Sequence, residues 1–133
     1  MQFSRKVDSG LFLLIELLKN PKGIRSLREI ADANNMSFYF LQKVALELRK
    51  SGLINSQRGK MGGYKIIKSP DKVTLREIIE VLEGPVAVMH CLSKNSCGPV
   101  CERENSCHAK TGLQFINNTI IDSLEKTTLL NFL

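Results

Sequence analysis

Leu11, Leu14, Ile15 and Leu18 recur at the spacing of a helix, and Phe12, Leu13 and Leu17 fill the positions between them. A segment apolar nearly all round must bury against two neighbours. Asp8 or Ser9 is the candidate cap at its start. SLRE (26–29) has the form of a capping box opening a short helix to about Ala33, which ANN ends with turn-prone residues. Ser37 then caps a helix whose core stripe is Leu41, Val44, Ala45 and Leu48, and Ser51-Gly52 stops it near Lys50. In LINSQRGKMGGYKII, two short strand-like runs, 53–57 and 64–67, flank a basic glycine-rich turn. A second capping box, TLRE (74–77), opens a helix to about Glu83 that Gly84-Pro85 terminates. Leu113, Ile116, Ile120, Ile121 and Leu124 predict a last helix over about 109–125, and the tail TTLLNFL adds a capped apolar turn.

Three helices followed by a basic two-stranded hairpin is the order of a winged helix-turn-helix, with the second and third helices as the turn and recognition pair. The fold expected is therefore mainly α with a small β-hairpin wing. Most of the core should be filled before the last helix begins, so its apolar stripe reads as a dimerisation surface. The expected organisation is a DNA-binding domain at 1–84, a cysteine-rich loop at 85–108 and a dimerisation helix with its tail at 109–133.

Length and charge sharpen this picture. A chain of 133 residues, 43% hydrophobic, is long enough for one compact core. Residues 1–70 carry thirteen Lys+Arg against five Asp+Glu, whereas 71–133 carry six against eight. The basic surface thus lies in the half that holds the helix-turn-helix, as a phosphate-binding footprint requires, although a solvated lysine-rich face carries the same count. The apolar run LFLLIELL is too short to span a bilayer and contains Glu16. A cytoplasmic location without a membrane partner is expected.

Residues near the start of a recognition helix reach base edges in the major groove. Here these are Ser37, Phe38, Tyr39, Phe40, Gln42 and Lys43. Gln42 has the amide to read adenine bidentately, Lys43 suits a guanine or a phosphate, and Tyr39 suits a phosphate or a thymine methyl. Phe38 and Phe40 serve the core equally well by spacing. Arg58 and Lys60 sit on the wing turn, where Gly59, Gly62 and Gly63 permit close backbone approach. An arginine on such a tip suits a narrow, electronegative minor groove. Arg25, Ser26 and Arg28 are candidates for phosphate contacts from the preceding helix.

All four cysteines fall between 91 and 107, spaced C-x5-C-x3-C-x5-C. Thiolates are soft donors for zinc, copper(I) or iron-sulfur clusters. The tight C-x2-C knuckles usual for structural zinc are absent from the sequence, which favours a cluster; reversible disulfides are a third option. His90 and His108 read as exposed loop residues.

Taken together, MQFSRKVDSGLFLLIEL, MSFYFLQKVALELRKSGLINSQRGKMGGY, TLREIIEVLEG and the cysteines ahead of a long helix resemble the IscR/NsrR type of bacterial transcription regulators over nearly the whole chain. The resemblance implies a dimeric winged-helix regulator, expected to be a repressor, that binds palindromic double-stranded DNA and carries a 2Fe-2S or 4Fe-4S cluster. Its cluster would sense nitric oxide, redox state or iron-sulfur status. It further implies Cys91, Cys97 and Cys107 as ligands. Nine residues separate the last two of these, where five are usual, leaving Cys101 to displace one of them, to act as fourth ligand, or to stay free. IscR-like members use a histidine at the position held here by Lys110. NsrR-like members use an aspartate from the partner subunit, which Asp8 matches.

Two other readings accompany this one: a zinc-stabilised DNA-binding module without sensing, and an electron-transfer protein that docks an acidic partner. The sequence shows no nucleophile-base set, phosphate loop or paired carboxylates in motif form, so no enzyme is expected.

Overall fold

The structure, a computed structural model, describes residues 1–20, 23–93 and 101–133. In chain order its elements are α1 (Arg5–Lys19), α2 (Leu27–Ala33), α3 (Phe38–Lys50), β1 (Ile54–Gln57), β2 (Gly63–Ile66), α4 (Leu75–Glu83) and α5 (Lys110–Lys126). Short 3-10 turns occupy His90–Leu92, Glu104–Ser106 and Leu129–Phe132. The fold is mainly helical with one antiparallel hairpin, as expected for a winged helix-turn-helix.

Helix α1 begins earlier than its expected caps. Ser4 caps it by accepting from the Val7 amide at 3.3 Å, Asp8 lies exposed within the first turn, and Ser9 is buried. Val7 is itself a core residue, so burying it extends the helix toward the N-terminus. Leu13, Leu14 and Leu17 are buried on this helix, which packs against both α3 and α4. At Gly10 the fit to α4 is close: a Cβ there would stand 2.5 Å from Leu82 Cδ1.

The other caps fall where the sequence places them. Ser26, Ser37 and Thr74 accept from the amides of Arg28, Phe40 and Glu77 respectively. Glu77, expected to complete the second capping box, instead pairs its carboxylate with Lys68. One core joins α1, α2, α3, β1 and α4, with Ile30, Leu41, Leu48, Leu53, Ile54 and Ile78 fully buried. Leu124 of α5 and Leu129 of the tail complete it. The tail is fastened by main-chain bonds, the Leu75 amide to Thr127 O at 2.8 Å and the Leu129 amide to Val73 O at 3.0 Å.

In the hairpin, Ile54 pairs with Ile66 and Gln57 with Gly63. Its second strand has another neighbour that the sequence pattern does not announce. Arg25 and Tyr64 exchange both main-chain bonds, at 3.1 and 2.8 Å, so the segment before α2 pins the wing from behind. Among the described residues, no helix is long and apolar enough to cross a membrane.

Candidate nucleic-acid interface and thiol pocket

Two glycines of the hairpin admit close chain crossings. A Cβ on Gly63 would stand 2.4 Å from Arg25 O, and one on Gly62 would stand 2.3 Å from Gln57 O. Both glycines therefore let the hairpin approach its own protein's backbone. Gly59 (φ 118) has open space around its missing Cβ and needs glycine only for its conformation.

A groove of about 390 Å³ runs between the start of α2, the first turns of α3 and the wing. It gathers Ser26, Arg28, Phe38, Gln42, Arg58, Gly59 and Gly62 from the expected set, and adds Gln57 and Tyr64. The latter two were missed because they read simply as strand residues; their position flanking the wing turn is the signal that would have found them. Arg28 stacks its guanidinium 3.8 Å from the centre of the Phe38 ring. That cation-π contact orients a charge toward the groove and gives Phe38 a supporting role, half-buried against the core. Tyr39 is 75% exposed and meets Phe38 edge to face, while Phe40 is 39% exposed and so is not a core residue. Lys43 is exposed one turn beyond Tyr39, and Ser37 is occupied as the cap of α3.

Arg25 and Lys60 lie in a neighbouring cleft with Glu16 and Met61. The Arg25 guanidinium is ion-paired to Glu16, which leaves Arg58, Lys60, Arg28 and Lys43 as the more available cations.

The described cysteines belong to the segment between α4 and α5. Cys91 sits in the turn after α4, Cys101 at the approach to the next turn, and Cys107 just ahead of α5. Together they line one small pocket with Leu92, Glu104, Lys110 and Leu113. All three are free and exposed; Cys97, part of the expected ligand set, lies outside the described residues. Among the described residues, no group of three Cys, His, Asp or Glu side chains stands ready to hold a metal ion. Cys91, Cys101 and Cys107 are nevertheless soft thiol donors of the type that thiolate-bound centres use.

Two contacts position this loop. Asn117, buried on α5, accepts from the Val88 amide at 2.9 Å and so fixes the chain leading into Cys91. It was missed, although it is a polar residue four places after Leu113 on the apolar stripe. Arg76 joins α4 to α5 by bonding Glu80 at 3.0 Å and pairing with Glu125. Its bond to Glu80, with Glu125 adding to it, raises the guanidinium's pKa further above its ordinary value.

Comparison with known proteins matches residues 3–133 to the Rrf2 family model, described as an iron-dependent transcriptional regulator. The chain belongs to the Rrf2 family. This Rrf2 protein is 42% identical over 93 residues to the HTH-type transcriptional regulator CymR of Bacillus subtilis (strain 168), covering 69% of the chain and 67% of the relative. Its fold superposes on the structure of CymR, the global cysteine regulator of B. subtilis, with a TM-score of 0.80 at 36% identity, covering 99% of this chain and 95% of the other. It is 31% identical over 113 residues to the HTH-type transcriptional regulator NsrR of Shouchella clausii (strain KSM-K16), 81% of this chain and 76% of that one. The T. potens IscR structure matches with a TM-score of 0.75 at 26% identity, covering 99% and 85%. The Rrf2 protein is thus a DNA-binding transcriptional regulator, and its relatives are named as regulators rather than enzymes.

Proposed function

We propose that this Rrf2 protein is a homodimeric repressor whose affinity for a palindromic operator is set by an iron-sulfur cluster in the cysteine loop. The observation that carries the reading is the meeting of cysteines from both sides of the loop in one pocket at the foot of α5. Cys91, Cys97 and Cys107 are the proposed ligands, with Cys101 or the partner subunit's Asp8 as the fourth. When bound, a 2Fe-2S or 4Fe-4S cluster would supply reactivity toward nitric oxide, oxygen or iron status.

The chain's own residues do the rest. Ser26, Arg28 and Lys43 hold phosphates, Gln42 and the exposed Tyr39 meet base edges, and Arg58 and Lys60 enter the minor groove from the wing. The working units are then residues 1–84 for DNA, 85–108 for the cluster and 109–133 for dimerisation. The dimer surface lies on α5, where Phe115 is 73% and Ile116 49% exposed beside the buried Leu124. Two recognition helices must meet half-sites about 34 Å apart, so a small change in the dimer's geometry alters affinity.

The test is operator binding by anaerobically purified protein before and after cluster removal. The reading expects at least a ten-fold difference; equal affinities would sink it. The likeness to CymR, the global cysteine regulator of B. subtilis, supports a second reading, a regulator of cysteine-related genes. A zinc-stabilised module is a third. Iron, sulfide and zinc analysis of the same sample separates these readings.

A further inference from the structure

Arg25 stands beside the groove between α2, α3 and the wing with its charge already matched. The cleft of about 740 Å³ that it lines shares Ser26, Gln57 and Gly62 with that groove, so the two are contiguous. Its main chain is tied to Tyr64 of the wing, and the next residue, Ser26, caps α2. By place in the chain Arg25 belongs with the phosphate contacts. Its guanidinium is instead paired with Glu16 of α1, and both side chains are partly buried. A charge-assisted bond so placed is stronger than a neutral one and is screened less by salt than an exposed pair. Lys19, Lys60 and Glu29 line the same cleft.

We propose that Glu16 withholds Arg25 from the DNA backbone and thereby limits affinity for DNA of any sequence. This inference concerns the DNA-binding activity itself and does not depend on a cluster. A guanidinium neutralised by a carboxylate releases no counterion when a phosphate approaches, and the carboxylate repels that phosphate. Freed from Glu16, Arg25 gains access to the contiguous groove, where Ser26 and Arg28 are the proposed phosphate contacts. Its contact there carries no base information, so it strengthens binding to matched and unmatched DNA alike.

The test measures binding to a fluorescent mixed-sequence duplex by anisotropy across a salt series. It compares the wild type with Glu16→Gln, Glu16→Ala, Glu29→Gln and the double variant Glu16→Gln with Arg25→Gln. Glu16→Gln keeps the size of the side chain and loses its charge, and Glu16→Ala also removes its hydrogen-bond acceptor. Both should bind about three-fold or more tightly at low salt, and the slope of log affinity against log salt should steepen by about 0.9, the value for one further phosphate contact. The double variant should return to the wild-type slope, because the released cation is gone. Glu29→Gln removes the same charge from the same cleft but leaves the Arg25–Glu16 pair in place, so its slope should match the wild type. Unchanged far-ultraviolet circular dichroism confirms that the variants fold. Weaker or unchanged binding by both Glu16 variants would overturn the inference and leave the pair as a brace for the segment that holds the wing. A steeper slope that survives in the double variant, or that appears equally in Glu29→Gln, would also overturn it, since the gain would then follow net charge rather than Arg25.

Discussion

Replacing Gly63 by alanine tests whether the wing is held in its working position by the segment before α2. The added Cβ would stand 2.4 Å from Arg25 O and 2.5 Å from Arg25 C, and both atoms belong to backbone that cannot rotate away. Reaching ordinary van der Waals separation requires a retreat of about 1 Å. That retreat stretches the Arg25–Tyr64 bonds, now 3.1 and 2.8 Å, beyond useful length. Two main-chain hydrogen bonds are worth about 1–3 kcal/mol together. Alanine at the native φ of 156° adds a backbone strain of about 1–3 kcal/mol if the hairpin holds its shape.

The hairpin's cheaper response is to swing free of Arg25 and shed that strain. Urea unfolding should then show a loss of about 1–3 kcal/mol, while Arg58 leaves the groove and Lys60 the neighbouring cleft. Operator affinity should fall at least ten-fold. The slope of log affinity against log salt should shrink by about 0.9 for each phosphate that the displaced wing no longer neutralises. Met61→Ala, at a 76% exposed site on the same turn, is the control and should leave stability unchanged within about 0.5 kcal/mol. Wild-type stability and affinity in Gly63→Ala would refute the claim that the crossing at Arg25 holds the wing.

Lys43→Ala should weaken binding to matched and unmatched DNA alike and reduce the salt slope by about 0.9, read by fluorescence anisotropy across a salt series; an unchanged slope would remove Lys43 from the phosphate-binding set. Asn117→Leu strips the partner from the Val88 amide and should cost about 1–3 kcal/mol in urea unfolding. Unaltered stability would show that water replaces the bond at no cost. Phe115→Ser should weaken dimerisation at least ten-fold in sedimentation equilibrium, because it places a hydroxyl on the most exposed large apolar side chain of α5. Wild-type sedimentation would move the dimer surface elsewhere.

The helices were legible because their signals are local. Ser26, Ser37 and Thr74 announce α2, α3 and α4 one residue before each begins, and core stripes such as Leu41, Val44, Ala45 and Leu48 follow directly. The missed start of α1 has the same kind of cause, since Ser4 needed only Val7 to be recognised as core. Long-range pairings were not legible. Nothing in the chemistry of Arg25 or Tyr64 announces that their backbones pair across the intervening α2, α3 and β1, so Gly63 read as a site of approach for another polymer. The expected DNA-binding residues divide in the same way. Gln42 and Phe38 fall in the groove because helix geometry places them there, whereas the withdrawal of Arg25 toward Glu16 depends on how α1 packs.

Under the proposed function a change at the thiol pocket has to reach the recognition helix, and α4 is the element placed to carry it. At its C-terminal end, Lys6 donates to Leu82 O at 2.6 Å and pairs with Glu47 of α3 at 2.7 Å. One cation thus links the end of α4 to the recognition helix, with α1 as its base. On the other side Arg76 joins α4 to α5, and Asn117 of α5 grips the chain leading into Cys91. These bonds are polar and directional, so a small shift of the loop costs free energy at each junction rather than being absorbed by side-chain adjustment. Each of the two ion pairs is partly exposed and worth at most about 1 kcal/mol alone. Coupling by this route can be large enough to regulate binding only if the elements move as bodies, which the single core shared by α1, α3 and α4 favours.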